Sequence, residues 1–287
     1  MARKPVITIV TDSSAYIPDN ALTGLNVAVI PLWLIWDGKS MLDGIDIEPT
    51  AFYERLRSAK NLPTSSQPTV REFMDFYQKI ALDSDIIINV LVSSKLSGTI
   101  ENAQAAIQKL PDLEIYLVDA LTSSMGLGHV VLAAAHAAAA GKSAPEIIQI
   151  AEEMRDKVNF IFVVDTLEYL HRGGRIGGAK RYLGSALRVK PLLEFRDGQI
   201  EPMEQVRTKR KAIARMLDIA QERLGGRQMA EASIVDIDSQ EEGDMVAQMV
   251  RERFSPTQLF RSGVSPVVGT HVGPGAIGFA FYALENN

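Results

Sequence analysis

Three segments rich in hydroxyl side chains and glycine lie far apart in this sequence, at residues 64–68, 93–99 and 270–275. Each segment offers small hydrogen-bond donors with little steric bulk, a combination that suits an oxygen-rich anion. None of the three contains the motif of a known enzyme class. The pattern therefore predicts a protein that binds a ligand rather than one that transforms it.

The segment around Ser97 combines a predicted strand end with a predicted helix start. Residues 86–92 form a run rich in β-branched residues that predicts a buried parallel strand, and residues 97–110 predict the helix that follows. Ligands bind at the carboxyl ends of such strands, where a helix N-terminus presents free N–H groups. We expect Ser97 to cap this helix and Gly98 to permit a close approach. An ordinary N-cap without a ligand is the alternative.

The other two segments give weaker signals. Residues 64–68 predict a linker between two helices, which alone indicates no more than a polar loop. His271 precedes glycines and a proline, which predicts that it lies in a turn rather than in a helix. A hydrogen-bonded structural histidine is the alternative for this residue. The four histidines show no ligand spacing with one another, so no metal site is predicted.

A serine hydrolase or acyltransferase is the alternative from a different class of function. It would use Ser97 as the nucleophile, with His271 and Asp119 as its partners. The G-x-S-x-G motif is missing around Ser97, although catalytic triads also occur without it. Residues 141–143 end like a phosphate-binding loop but follow a predicted helix, so no nucleotide cofactor is predicted.

Basic side chains cluster at two places. Arg207, Lys209, Arg210 and Lys211 lie where a helix is expected to begin, and cations there oppose the helix dipole. Arg172 lies with a second arginine in a glycine-rich stretch, residues 172–178. A solvated surface is the ordinary explanation of such clusters. Their placement also indicates an anion or an acidic partner.

The composition excludes several classes of protein. The chain has 287 residues, of which 46% are hydrophobic and 23% charged, and a net charge of −5. This acidic balance argues against a general nucleic-acid binder. The longest apolar run, residues 130–140, is too short to cross a bilayer, which takes about 20 apolar residues. We therefore expect a cytoplasmic protein without stable membrane insertion.

The order of predicted elements indicates an α/β protein of two domains. Strands alternate with helices up to about residue 160, which predicts a parallel sheet. The later part contains a hairpin signal at Asp197 and Gly198 and further separate strands and helices, which is typical of an α+β domain. We predict an N-terminal domain at residues 1–160 and a C-terminal domain at residues 161–287.

Taken together, these segments resemble the DegV family of bacterial fatty-acid-binding proteins, the binding subunits of fatty acid kinase. The resemblance runs almost from end to end, and the order and spacing of its blocks make it specific. The blocks are residues 10–14, 64–68, 93–99, 118–119, 172–176, 190–191, 206–209 and 269–275.

The resemblance implies that two domains enclose a long-chain fatty acid such as palmitate, with the acyl tail buried. It implies no cofactor and no catalytic residue. An ATP-dependent fatty acid kinase would be the partner that converts the bound acid to acyl phosphate. The implied carboxylate-binding residues are Ser65, Ser97, Gly98 and His271. The implied headgroup or kinase-docking residues are Thr64, Ser66, Arg172 and Arg207.

One position departs from the family pattern. Position 65 is usually threonine in this family, and serine keeps the hydroxyl group but lacks the methyl group. A kinase-like sugar-binding domain is a third alternative, because the architecture resembles that of dihydroxyacetone kinases. The sequence contains no phosphate loop that would support it.

Overall fold

A computed structural model describes residues 3–183 and 189–285. Parts of both predicted domains, residues 1–2, 184–188 and 286–287, lie outside the described residues. The strands are β1 Ile7–Asp12, β2 Val27–Ile30, β3 Trp33–Trp36, β4 Lys39–Leu42, β5 Thr64–Ser66, β6 Ile86–Leu91, β7 Glu114–Asp119, β8 Asn159–Val163, β9 Lys190–Arg196, β10 Gln199–Val206, β11 Met229–Asp236, β12 Gln258–Ser262 and β13 Ile277–Ala283. The α-helices are α1 Asp19–Leu22, α2 Pro49–Arg57, α3 Val70–Ile80, α4 Thr99–Ile107, α5 Ser124–Ala139, α6 Ala144–Lys157, α7 Glu168–Arg172, α8 Lys209–Leu224, α9 Gln240–Phe254 and α10 Pro266–Val272.

The N-terminal sheet is parallel, with the strand order β2-β1-β6-β7. All six residues of β6 are buried, as expected for a central strand with helices on both faces, and the one polar residue, Asn89, is hydrogen-bonded to Tyr77 and to the Tyr116 carbonyl. Helices α3 and α4 pack on one face, and α5 and α6 pack on the other. The predicted parallel α/β sheet is confirmed.

Helix α5 lies between the two large sheets. It packs against β1 and β6 of the first sheet and against β8 and β13 of the second. Its alanines and glycines let these elements come close, and Gly126 lies directly against the ring of Phe160. Within residues 3–183 and 189–285, no helix has the length and apolar character needed to span a bilayer.

The C-terminal sheet has six strands in the order β10-β9-β8-β13-β11-β12, and its pairs are antiparallel except for β11 with β12. Helices α8 and α9 pack against it. The predicted hairpin turn joins β9 to β10, with positive φ angles at Asp197 (50°) and Gly198 (80°). The C-terminal sheet domain is therefore as expected, while the division at residue 160 stays a prediction.

A third, small sheet has the order β4-β3-β5 and was not expected from the sequence. The predicted linker at residues 64–68 is wrong in part, because residues 64–66 form β5 and Ser65 pairs with Leu34. A three-residue polar strand has no pattern of its own, and its partner strand sets its register. The indole N–H of Trp36 donates to the Asn61 carbonyl just before β5 at 2.9 Å. The small sheet thus fixes the backbone that carries Ser65.

Candidate functional site

A cavity between the sheets collects side chains from all three hydroxyl-rich segments. It measures about 620 Å³ including its open mouth, and Ser65, Ser97 and His271 line it. Ser66 also contributes to its wall. The remaining lining residues are Ser14, Leu32, Gln67, Val92, Leu96, Ser123, Leu170, Arg175, Phe195, Ile200, Val267, Val268 and Val272. The expected convergence of Ser65 and Ser97 on one space is therefore present.

Ser65 and His271 are in direct polar contact at this cavity, because Ser65 Oγ lies 2.6 Å from His271 Nε2. The predicted turn around His271 is wrong, since this residue lies in the last turn of α10. Ser265 caps α10, and Pro266 occupies its first turn. That serine–proline pair is a helix-start signal that the sequence offered. The helix ends at Gly273, where φ is +79°, so the turn begins only two residues after His271.

The imidazole of His271 is neutral at pH 7. Burial, together with the positive charge of Arg175, lowers the pKa of His271 to about 4. Its Nδ1 atom is buried and has no hydrogen-bond partner among the described residues. A neutral imidazole donates from one nitrogen and accepts at the other. If Nε2 carries the hydrogen, His271 donates to Ser65, and the Ser65 hydroxyl hydrogen stays free for a ligand.

Ser97 stands one residue before the cap of α4 rather than at the cap itself. The N-cap is Gly98, and the prediction that Ser97 caps the helix is wrong by one position. Ser97 Oγ accepts from the Thr99 backbone N–H at 3.3 Å and lies 2.8 Å from Thr99 Oγ1. A short turn between β6 and α4 uses these bonds in place of a regular cap. Ser97 lines the cavity.

Gln67 holds the first two segments together and was not singled out from the sequence. A Cβ atom at Gly98 would lie 2.9 Å from Gln67 Nε2, so the close approach that Gly98 permits is that of Gln67. Asn102 of α4 donates to the Pro68 carbonyl at 2.8 Å. The chain after β5 is therefore fixed against the start of α4.

The hairpin of the C-terminal sheet closes the cavity from the other side. Ser93 Oγ donates to the Gly198 carbonyl at 2.7 Å, which ties the hairpin tip to the turn before Ser97. Phe195 and Ile200, on the two strands of this hairpin, line the cavity. Both sheets thus contribute walls.

The cavity continues at both ends into spaces of opposite character. An outer cavity of about 990 Å³, open to solvent, shares Ser65, Arg175 and His271 with it and is also lined by Thr64, Arg172 and Lys60. An inner cavity of about 400 Å³, its open ends included, shares five residues with the first cavity, namely Ser123, Phe195, Ile200, Val268 and Val272. The other residues of the inner cavity are Ser124, Phe160, Phe162, Val235, Ile237, Val264, Ala276 and Gly278. The path therefore runs from a polar mouth, past hydroxyl groups, into an apolar end.

Arg175 is the arginine that lines the cavity, although Arg172 was the expected one. Its guanidinium donates to the Leu96 carbonyl at 3.0 Å and to the Gly173 carbonyl at 2.7 Å. Burial lowers the pKa of Arg175, but a guanidinium keeps its charge. No carboxylate among the described residues pairs with it. Arg172 lies at the outer cavity, 59% exposed, and pairs with Glu168 at 2.7 Å.

Arg207 is exposed and lines neither of these cavities. It follows the last residue of β10, whereas Ile200 of the cavity wall lies near the first, so roughly 20 Å of strand separates them. The helix expected at this cluster does begin there, with Thr208 Oγ1 accepting from the Lys211 N–H. The position of Arg207 argues against contact with a ligand headgroup, and a role of Arg207 in kinase docking stays a prediction.

The structure gives no support to a catalytic triad at Ser97. His271 contacts Ser65 instead, and Asp119 accepts hydrogen bonds from the backbone N–H groups of Ser94 and Leu121. In the part of the chain that is described, no three His, Cys, Asp or Glu side chains form a group that could hold a metal ion.

Comparison with known proteins places the chain among close relatives. The family model described as "Uncharacterised protein, DegV family" matches residues 6–284. Protein DegV of Bacillus subtilis is 33% identical over 276 residues, which cover 96% of this chain and 98% of that protein. A DegV domain-containing protein of Listeria innocua is 35% identical with the same coverage.

Solved structures agree with these sequence matches. A DegV family protein from Thermus thermophilus, described by its fatty acid binding, has a TM-score of 0.91 and 31% identity, covering 97% of this chain and 100% of that one. DegV from Bacillus subtilis, described as a fatty acid binding protein, has a TM-score of 0.89 and 32% identity, covering 98% and 100%. This chain belongs to the DegV family.

Proposed function

We propose that this protein binds a long-chain fatty acid, with the carboxylate at Ser65 and Ser97 and the acyl tail in the inner cavity. One observation carries the proposal: two serines from distant segments line a single cavity that continues into an almost wholly apolar space. A molecule with one anionic end and a long apolar tail matches that sequence of surfaces. The fatty acid binding described for two similar structures supports the same conclusion.

The apolar end supplies most of the driving force. Burying a methylene group is worth about 0.8 kcal/mol, so a tail of about 14 methylenes gains roughly 11 kcal/mol before the entropic cost of binding. An unpaired carboxylate would cancel much of this gain. Donors at the polar end are therefore as necessary as the apolar walls.

The hydrogen-bond arrangement leaves two hydroxyl hydrogens for the carboxylate. In the proposed complex, His271 Nε2–H would donate to Ser65 Oγ, which lies 2.6 Å away, and Ser65 would donate to one carboxylate oxygen. Thr99 Oγ1–H, 2.8 Å from Ser97 Oγ, would donate to it in the same way, and Ser97 would donate to the other carboxylate oxygen. Each serine is polarised by the donor behind it, which strengthens its bond to an anion. Arg175 adds a positive charge without a competing carboxylate among the described residues.

We further propose that an ATP-dependent fatty acid kinase phosphorylates the bound carboxylate. The outer cavity is open to solvent directly beyond Ser65 and is lined by Lys60, Arg172 and Arg175. Positive charge there would accept the phosphate that the kinase delivers. Arg207 would lie in the wider docking surface.

Extraction and native mass spectrometry test this function. The purified protein should carry one noncovalent fatty acid, which organic solvent releases as the free acid. A covalent acyl group on Ser97, or turnover of model esters that Ser97→Ala abolishes, would instead favour an enzyme. Protein that neither carries nor takes up an added fatty acid would contradict the proposal.

A further inference from the structure

Helix α10, which carries His271, is contacted near both of its ends by the small sheet. Near the end of the helix, His271 Nε2 lies 2.6 Å from Oγ of Ser65 on β5. Near its start, the Val267 N–H donates to Asp43 Oδ1 at 3.2 Å, and Asp43 directly follows β4. Strands β4 and β5 both pair with β3. The same small sheet therefore carries one polar side chain to each end of α10.

Asp43 is a buried residue whose two carboxylate oxygens both accept hydrogen bonds. The second oxygen, Oδ2, accepts from Ser13 Oγ at 2.6 Å, and Ser13 Oγ in turn accepts from the Leu32 N–H at 3.0 Å. Leu32 lines the cavity, as does Ser14 beside Ser13. Asp43 therefore joins α10 to two segments of the cavity wall.

The two ends of α10 lie close to one another. Val267 and His271 are four residues apart, which corresponds to about 6 Å, or about one turn, along an α-helix. The middle of the helix is tightly packed, because a Cβ atom at Gly269 would overlap the buried hydroxyl group of Tyr53 on α2. A shift of the helix at Val267 would therefore reach His271 within one turn.

We propose that Asp43 is a positioning residue for the ligand site, because its carboxylate holds the start of α10 so that His271 meets Ser65. The proposal rests on the fatty-acid site proposed above. Asp43 lines none of the three connected cavities, so it acts through α10 and not by touching the ligand. Without the ionised carboxylate, the Val267 N–H loses a strong acceptor and the helix is free to shift. Ser65 then loses the donor behind it.

Protonation of Asp43 should act in the same direction as removal of its charge. Burial raises the pKa of Asp43 to about 6, so the group is mainly ionised at pH 7 and mainly protonated at pH 5. The titratable side chains close enough to interact with its charge are Asp12, Tyr16 and Tyr53. A protonated carboxyl oxygen donates instead of accepting, so one of the two hydrogen bonds to Asp43 is lost.

NMR of the ligand-free protein and equilibrium binding of palmitic acid test the proposal. Asp43→Asn nearly keeps the size of the side chain and removes its charge. At pH 7 this variant should bind palmitic acid at least about fivefold more weakly, because Ser65 loses the support of His271. The ¹⁵N signals of the His271 imidazole should move toward those of Ser65→Ala, in which the contact is missing.

Tyr77→Phe is the matched control. It removes one buried hydrogen bond, from Tyr77 Oη to Asn89 Oδ1 at 2.9 Å, and neither residue lines these cavities. Both variants should lose stability, whereas only Asp43→Asn should change the affinity and the His271 signals. Wild-type affinity and wild-type imidazole signals in Asp43→Asn would overturn the role of Asp43.

A pH titration of the wild type decides the matter if Asp43→Asn does not fold. The Val267 amide signal reports the protonation of Asp43. The His271 ring signals should shift with it in a small step near pH 6, apart from the titration of the imidazole itself near pH 4. A Val267 step that leaves the His271 ring unchanged overturns the proposal.

Failure of the proposed function would give a different result. Wild-type protein that binds no palmitic acid but shows the coupled step at Val267 and His271 would contradict fatty acid binding. The same result would still confirm that Asp43 positions His271.

Discussion

Gly173 lies flat against the imidazole ring of His271. A Cβ atom at position 173 would overlap Nδ1 of that ring and lie 3.1 Å from its Cε1 atom. The backbone of Gly173 is ordinary, with φ at −73°, so the residue is glycine because of space and not because of backbone strain. The glycine-rich stretch therefore positions the histidine that contacts Ser65.

Gly173→Ala should displace His271 and so disturb the hydrogen bond from Ser65 to the carboxylate. A charge-assisted hydrogen bond of this kind is worth about 1–3 kcal/mol, so fatty acid binding should weaken by about tenfold or more. Equilibrium binding of a fluorescent fatty acid measures this. Gly263→Ala is the control, because a Cβ atom there meets only the Tyr16 ring at an ordinary 3.5 Å. Equal affinity in both variants would show that the position of the His271 ring does not affect fatty acid binding.

Ser65→Ala and Ser97→Ala should each cost about 1–3 kcal/mol of binding free energy, because each removes a hydrogen bond to the carboxylate. Ser65→Thr keeps the hydroxyl group and should bind nearly as well as wild type. Ser94→Ala is the control within the same turn, since Ser94 is exposed and does not line the cavity. A Ser97→Ala variant that behaves like Ser94→Ala would remove Ser97 from the site.

His271 should remain neutral in the ligand-free protein throughout the pH range of most assays. Burial and Arg175 lower the pKa of His271 from 6.5 to about 4, so the folded chain binds fewer protons than the unfolded chain between those values. His271 therefore makes the free energy of unfolding rise with pH across that window. NMR titration of the imidazole should give a midpoint well below 6.5, and a bound carboxylate should raise it. A midpoint near 6.5 in the empty protein would contradict this environment.

Asp43 should have the opposite effect on stability. It is 2% exposed and accepts from Ser13 Oγ at 2.6 Å and from the Val267 N–H of α10 at 3.2 Å. Burial raises the pKa of Asp43 to about 6, so the folded chain binds more protons between pH 3.8 and 6. Relative to Asp43→Asn, the wild type should lose about 2 kcal/mol of unfolding free energy as pH rises from 4 to 7. Denaturant unfolding across this range measures the difference, and a constant difference would contradict the shift.

The arginines should separate fatty acid binding from phosphorylation. Arg175→Ala should weaken fatty acid binding, because this guanidinium lines the cavity without a carboxylate partner among the described residues. Arg207→Ala should leave binding nearly unchanged and slow acyl phosphate formation by the kinase, since Arg207 is exposed and remote from the cavity. Loss of binding in Arg207→Ala with normal turnover of loaded protein would reverse that assignment.

The sequence led to the correct prediction that Ser65 and Ser97 lie at one cavity. It was less successful in predicting the strand or turn on which each serine lies. Strand β6 and the helix after it follow from strong apolar patterns. Strand β5 has three residues and α10 has seven, so both depend on tertiary contacts more than on local preference.

The choice between Arg172 and Arg175 could not be made from the sequence either. Both arginines flank the same two glycines, and composition does not distinguish them. The end of α7 decides the outcome: Arg172 lies in its last turn and faces Glu168, while Arg175 follows the glycines and turns toward Leu96.

A crystal structure of the protein with palmitic acid would show directly where the carboxylate and the acyl tail bind. We expect one carboxylate oxygen within hydrogen-bond distance of Ser65 Oγ, the other within reach of Ser97 Oγ, and the tail in the inner cavity. A carboxylate bound elsewhere, a tail that leaves the inner cavity empty, or a reversed orientation would contradict it.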